Sequence, residues 1–190
     1  KLSDKKSISA ARLMNVKDGQ NEHLWYNPET MSRLADELVN VFSSKMPSKK
    51  TEFKQNAAAY KKKVARLNSE LEKIRAERIE KPVAVSEPVF DYSLEKMGYK
   101  VANAHFAKAV EEESDPSYTD IKNLQNKIKR KEIAFFVYNV QSDGTTVKNI
   151  VNLCKKHDIP VVKVTETLPE GKNYFNWLQS EYRQIAEIEK

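Results

Sequence analysis

Two glutamates follow predicted strands at positions where a ligand can be bound. Glu87 comes directly after the apolar run 83–86, and Glu166 comes two residues after the run 160–164. Each precedes a proline within three residues, which restricts the direction of the backbone. Ligands of an open parallel sheet bind beyond the carboxyl ends of its strands, so both carboxylates are expected at one sheet edge. The alternative is that the Glu87 or Glu166 side chain is exposed to solvent and binds nothing.

The three histidines differ in what surrounds them. His23 lies within residues 21–28 (NEHLWYNP), where aromatic and amide side chains are dense, and it is interpreted as a ligand, a base or a hydrogen-bonding group. His105 heads a predicted helix, which favours a surface position. His157 ends another helix, where the helix dipole favours a cation, and is interpreted as structural.

Further polar residues follow the other predicted strands. Asn103 follows the second strand, and Asn139 and Gln141 follow the third, so each is expected at the same sheet edge as the glutamates. Whether Asn139, Gln141 or His105 joins the site is left open by the sequence.

One imidazole and two carboxylates form a set that suits a divalent cation, because the two negative charges balance the metal. His23, Glu87 and Glu166 are three ligands, one fewer than a tetrahedral zinc site has. Binding requires a neutral imidazole and ionised carboxylates, so metal affinity is expected to fall on acidification.

Other chemistries have less support. The one cysteine, Cys154, falls on an apolar helical face, and no serine lies in a Gly-x-Ser-x-Gly turn. The four glycines form neither a dinucleotide-binding nor a P-loop pattern. A glycosidase that used the same two glutamates is a weak rival, because the nearby loops lack the aromatic platform of a sugar site.

Helices are predicted before the strands. Residues 28–43 carry apolar side chains at three- and four-residue spacing after a capping Asn27. The stretch 49–80 contains neither glycine nor proline and predicts a rod of roughly 45–50 Å, at about 1.5 Å per residue. Such a helix is expected to link two bodies, and a free coiled coil is the alternative.

Beyond residue 82, short apolar runs alternate with helical patterns. The predicted strands are 83–86, 99–102, 133–138 and 160–164, and helices are predicted over 89–97, from 115–117 to Ile128, over 147–154 and over 174–188. The third run is apolar throughout, as in a strand buried on both faces. The fold class predicted is α/β, with a four-stranded parallel sheet flanked by helices and preceded by a long linker helix.

Composition narrows the class of partner. Of 190 residues, 33 are Lys or Arg and 27 are Asp or Glu, a net charge of +6 that solubility explains as well as a polyanion does. Nucleic-acid binding through 61–63 or 127–131 is a minor alternative, because the lysines are mixed with glutamates. No apolar run approaches a membrane span. The first residues have neither an initiator methionine nor a signal core, so the sequence is expected to begin within a longer protein.

Three segments together resemble one family. Residues 21–28, 86–92 (SEPVFDY) and 164–169 (VTETLP) are similar, in order, to motifs of the metal-binding solute-binding proteins of bacterial zinc/manganese ABC transporters, of the cluster A-I type. The resemblance covers essentially the whole chain. It implies that residues 1–29 end an N-terminal lobe, that 30–81 hold the inter-lobe backbone helix, and that 82–190 form the C-terminal lobe of a two-lobed protein.

The resemblance also implies a metal site and a role. His23, Glu87 and Glu166 correspond to three of four ligands, and the first, a histidine of the N-terminal lobe, is not in this sequence. Glu87 stands where histidine is more usual, a change that accompanies manganese in the family, and Glu166 replaces the usual aspartate. The implied protein is a non-enzymatic, monomeric, extracytoplasmic receptor, either periplasmic or a lipid-anchored lipoprotein. It would capture Zn or Mn in an inter-lobe cleft and deliver the ion to an ABC permease. A surface adhesin is the alternative.

Overall fold

The computed structural model describes residues 7–142 and 144–189. The chain divides after Arg66 into two compact units, here called the N-terminal and C-terminal units. The N-terminal unit contains α1 (Ala10–Met14), α2 (Pro28–Lys45) and the first part of α3 (Lys50–Glu77), with short 3-10 turns at Leu24–Tyr26 and Pro47–Lys49.

The two long helices begin where their sequences predict. The Asn27 side chain accepts a hydrogen bond from the backbone amide of Glu29, and Pro28 occupies the first turn of α2, where its missing N–H costs nothing. Within the N-terminal unit, Lys61 of α3 pairs with Asp36 of α2 at 2.8 Å. The helices predicted over 28–43 and 49–80 are therefore confirmed, with small shifts of their ends.

The C-terminal unit contains a small parallel sheet and its helices. Its elements are β1 (Ala84–Val85), α4 (Asp91–Lys96), α5 (Ala104–Glu111), α6 (Tyr118–Lys129), β2 (Phe136–Asn139), α7 (Thr145–Lys156), β3 (Val161–Val164) and α8 (Tyr174–Ile188), and a 3-10 turn at Pro88–Phe90 precedes α4. The strand order is β1-β2-β3, and both pairings are parallel. The α/β class and the helix-flanked parallel sheet are confirmed.

The predicted four-stranded sheet is wrong in its strand count, because the sheet has three strands. The run 99–102 forms one parallel bridge, between Val101 and Val83, and goes no further. The cause is Asn103, whose side-chain amide accepts from the Val85 amide at 3.0 Å and donates to its carbonyl at 2.7 Å. A fourth strand would have to pair with the backbone N–H and C=O of Val85, and the Asn103 side chain already bonds both.

The apolar core of the C-terminal unit surrounds the central strand. Phe136 of β2 shares one buried cluster with Ile150 and Cys154 of α7 and with Phe106 and Ile128, and all five are almost fully buried. The β2 strand is buried on both faces at Phe136 and Val137, as its apolar run predicted. Among the described residues, no helix combines the length and the apolar character that are needed to cross a bilayer.

Candidate metal site

Glu87 leaves the end of β1 in an extended conformation. Its backbone has φ −148° and ψ 158°, and the 3-10 turn that begins at Pro88 then carries the chain away from the sheet. The Glu87 side chain is half-buried. A carboxylate is thus held directly beyond the carboxyl end of a strand, as the sequence predicted.

Asn139 connects the end of β2 to Glu87. Its Nδ2 donates a 2.6 Å hydrogen bond to Glu87 Oε2, and its backbone amide donates to Ser86 Oγ at 2.9 Å. The register explains the contact: Val85 pairs with Val137, so residues 87 and 139 lie two positions further along neighbouring parallel strands. The pairing of β1 with β2 therefore decides which side chain Glu87 meets.

Gln141 makes the corresponding connection to the end of β3. Its Oε1 accepts hydrogen bonds from the backbone amides of Glu166 at 2.7 Å and Thr167 at 3.0 Å, and its Nε2 donates to Thr167 Oγ1 at 2.7 Å. The backbone amide of Gln141 donates to Asn139 Oδ1 at 3.1 Å. A continuous chain of hydrogen bonds thus joins Glu87, Asn139, Gln141 and the backbone of Glu166 along one edge of the sheet.

Glu181 supports the same edge from α8. This buried carboxylate accepts hydrogen bonds from the backbone amide of Thr165 at 3.1 Å and from Trp177 Nε1 at 2.9 Å. It holds the residue that precedes Glu166. Glu181 was not among the residues predicted from the sequence, where the available signal was a glutamate one helical turn after Trp177 on the apolar face of α8.

His23 belongs to the N-terminal unit. It is buried, its ring packs edge-on to that of Trp25, and its Nδ1 lies 2.8 Å from Asn21 Oδ1. The same oxygen accepts the backbone amide of His23 at 2.9 Å, so it is the oxygen and not the amide nitrogen of Asn21 that faces the ring. Nδ1 is therefore the nitrogen that donates to Asn21. In the neutral imidazole Nε2 then carries the lone pair, and that is the form of imidazole that binds metals.

The remaining candidates, one cysteine and two histidines, belong to α7 and α5. Cys154 is buried in α7, and burial raises the pKa of its thiol to about 12. His157 is the C-terminal cap of α7, as predicted, and His105 is exposed in the first turn of α5. The described edge thus offers carboxylates, amides and hydroxyls, which are hard oxygen donors suited to a divalent cation.

One family model matches nearly the whole chain. Residues 2–188 match the family described as "ZnuA: Zinc-uptake complex component A periplasmic". This chain belongs to that family. Among the curated proteins, it is 21% identical over 170 residues to the zinc-binding lipoprotein AdcA of Streptococcus pneumoniae, covering 87% of this chain and 33% of AdcA.

Two further likenesses extend the comparison. The chain is 24% identical over 186 residues to the manganese ABC transporter substrate-binding lipoprotein PsaA of S. pneumoniae, covering 90% of this chain and 57% of PsaA. The chain thus spans about a third to just over half of these relatives. The periplasmic zinc-binding protein TroA of Treponema pallidum has the same fold, with a TM-score of 0.74 and 14% identity over 98% of this chain and 73% of TroA.

A structure of the laminin-binding adhesin Lmb of Streptococcus agalactiae is similar as well. Its TM-score is 0.72 at 18% identity, and the match covers 96% of this chain and 70% of Lmb. At these identities the structural likenesses establish the fold alone.

Proposed function

We propose that this chain is part of a solute-binding receptor that captures a divalent transition metal, Zn or Mn, and hands it to an ABC permease. The observation that carries the proposal is the hydrogen-bonded chain that joins Glu87 to the Glu166 backbone through two amide side chains. It fixes two carboxylate-bearing loops at the carboxyl edge of a parallel sheet. The relatives AdcA and PsaA, whose names specify zinc and manganese, support the same class of ligand.

In this proposal Glu87 and Glu166 supply two carboxylate ligands and His23 supplies an imidazole. The Asn21 contact supports the role of His23, because in the neutral imidazole it leaves the lone pair on Nε2. The metal ion is the cargo, and its release requires no covalent chemistry from the protein. The receptor would work outside the cytoplasm, in the periplasm or on a lipid anchor, as a monomeric, non-enzymatic partner of the permease.

The adhesin alternative rests on the name of Lmb and on no feature of this edge. The carboxylate and amide chemistry of the sheet edge favours metal capture, which is therefore the function proposed.

The test is metal binding by the full-length protein and two variants. Glu87→Gln and Glu166→Gln keep the size of each side chain and remove its charge, so the affinity for Zn and Mn should fall by about a hundredfold in each. Competition calorimetry with a chelator of known affinity measures the loss. Glu170→Gln, an exposed glutamate in the loop that follows Glu166, is the matched control and should bind as the wild type does. Wild-type affinity in both site variants would overturn the proposal.

A further inference from the structure

We propose that Asn139 determines which metal the site prefers, by restricting Glu87 to one coordinating oxygen. This inference rests on the proposed function, because it presumes that Glu87 is a ligand. Asn139 touches Glu87 and is a positioning residue, not a ligand.

The surroundings of Asn139 leave its amide group one orientation. The residue is 2% exposed. Its Oδ1 faces the backbone N–H of Gln141, which donates to it, so Nδ2 is the atom that faces Glu87. Its own backbone amide is held by Ser86 Oγ. Hydrogen bonds thus hold both the backbone amide and the side-chain oxygen of Asn139. Its side-chain nitrogen is left facing the Glu87 carboxylate as a hydrogen-bond donor.

The hydrogen bond distinguishes the two oxygens of Glu87. At 2.6 Å, the contact from Asn139 is short and charge-assisted, and it engages Oε2. Among the described residues it is the one hydrogen bond of the Glu87 side chain. A metal that bound Glu87 through both oxygens would compete with the amide for Oε2, whereas a metal that bound through Oε1 alone would keep the hydrogen bond.

The two metals differ in how many oxygens they need. Zinc is usually four-coordinate and is satisfied by one oxygen from each carboxylate. Sites that suit manganese are octahedral and rich in oxygen, so a carboxylate that binds through both of its atoms helps to fill them. An amide that ties up Oε2 therefore favours the lower coordination number, and hence zinc over manganese. Asp at position 139 could not do this, because a carboxylate accepts a hydrogen bond but does not donate one.

Two variants of the full-length protein remove the donor in different ways. Asn139→Leu replaces the amide by an apolar group of similar volume, and Asn139→Ser leaves a small hydroxyl that is too short to reach Glu87. In both, the ratio of the Mn to the Zn dissociation constant should fall by about tenfold, the scale of effect that a residue behind a ligand commonly has. X-ray absorption of the Mn-loaded variants should show one more oxygen neighbour than the wild type.

Two further variants separate this effect from a general loosening of the edge. Gln184→Leu removes a half-buried amide that bonds the backbone of Lys163 in β3, and it should keep the wild-type ratio. Gln141→Leu loosens the Glu166 loop without touching Glu87, and it should weaken both metals together. Circular dichroism and urea unfolding verify that each variant is folded.

The outcomes distinguish this inference from the proposed function. If the wild type binds metal through Glu87 but both Asn139 variants keep its ratio and its oxygen count, the inference is wrong and the proposed function stands. A shift in one Asn139 variant alone, or an equal shift in Gln184→Leu, also overturns it. A wild-type protein that binds neither Zn nor Mn overturns both.

Discussion

The side-chain oxygen of Gln141 accepts a 2.7 Å hydrogen bond from the backbone amide of Glu166. The same oxygen also accepts the amide of Thr167, and the Gln141 amide group donates to the Thr167 hydroxyl. One exposed glutamine thus fastens the loop after β3 to the loop after β2. It orders the backbone of a proposed ligand without occupying the site itself, which is how supporting residues act in many metal sites.

Replacing Gln141 should therefore weaken metal binding more than it weakens the fold. For Gln141→Leu we expect Zn and Mn affinities to fall by about tenfold. The free energy of unfolding should change by less than about 1 kcal/mol, because Gln141 is exposed. Calorimetry and urea unfolding measure the two effects, with Gln184→Leu as the matched amide deletion. A large loss of stability with unchanged affinity would contradict the prediction.

Ser86 should contribute mainly to stability. Its buried hydroxyl accepts the backbone amide of Asn139, which is itself buried. Ser86→Ala leaves that amide without this partner, so we expect the free energy of unfolding to fall by about 1–3 kcal/mol. Urea denaturation measures the loss. Ser114→Ala, which removes an exposed hydroxyl bonded to the Ala109 carbonyl, should cost far less, and equal losses in the two variants would show that burial is not the cause.

Asp91 should make stability depend on pH. Burial, and then the nearby charge of Glu95, raise the pKa of Asp91 from 3.8 to about 6. The folded state therefore binds this proton more tightly than the unfolded state does. Its contribution is fully present below pH 3.8 and is lost as the pH rises through about 6, by up to about 3 kcal/mol.

Asp91→Asn tests this pH dependence. The variant cannot ionise, so its stability should decline less between pH 4 and pH 7 than that of the wild type. Thermal or urea unfolding across this range measures the difference. Asp115→Asn, which replaces an exposed carboxyl, should keep the wild-type profile. Parallel profiles for wild type and Asp91→Asn would contradict the assignment.

Asn21 should act through the tautomer of His23. Its Oδ1 accepts from Nδ1, and in the neutral imidazole this contact places the lone pair on Nε2. For Asn21→Leu in the full-length protein we expect a mixed tautomer population in nitrogen-15 NMR and about tenfold weaker Zn binding. Gln20→Leu, which removes a neighbouring amide that bonds the Lys17 backbone, is the control and should change neither. An unaltered His23 spectrum in Asn21→Leu would contradict the prediction.

Much of the fold follows from local patterns in the sequence. The cap at Asn27, the buried face of α7 and the apolar run of β2 each depend on residues close together in the chain, and all three are found in the structure. The expectation that polar residues after the strands share one sheet edge needed only the right-handed parallel topology. Asn139 and Gln141 were predicted at that edge for the same reason, because both follow a predicted strand.

What only the tertiary structure decided concerns contacts between residues far apart in sequence. The run 99–102 has the pattern of a strand, but Asn103 takes the polar groups of Val85 and ends the ladder. The partner of Glu87 follows from the register of β1 against β2, and a shift by one residue would turn Asn139 to the opposite face. Composition and periodicity report the neighbours of a residue along the chain. Register and side-chain competition for backbone groups are settled when the strands pack, so they appear only in the folded protein.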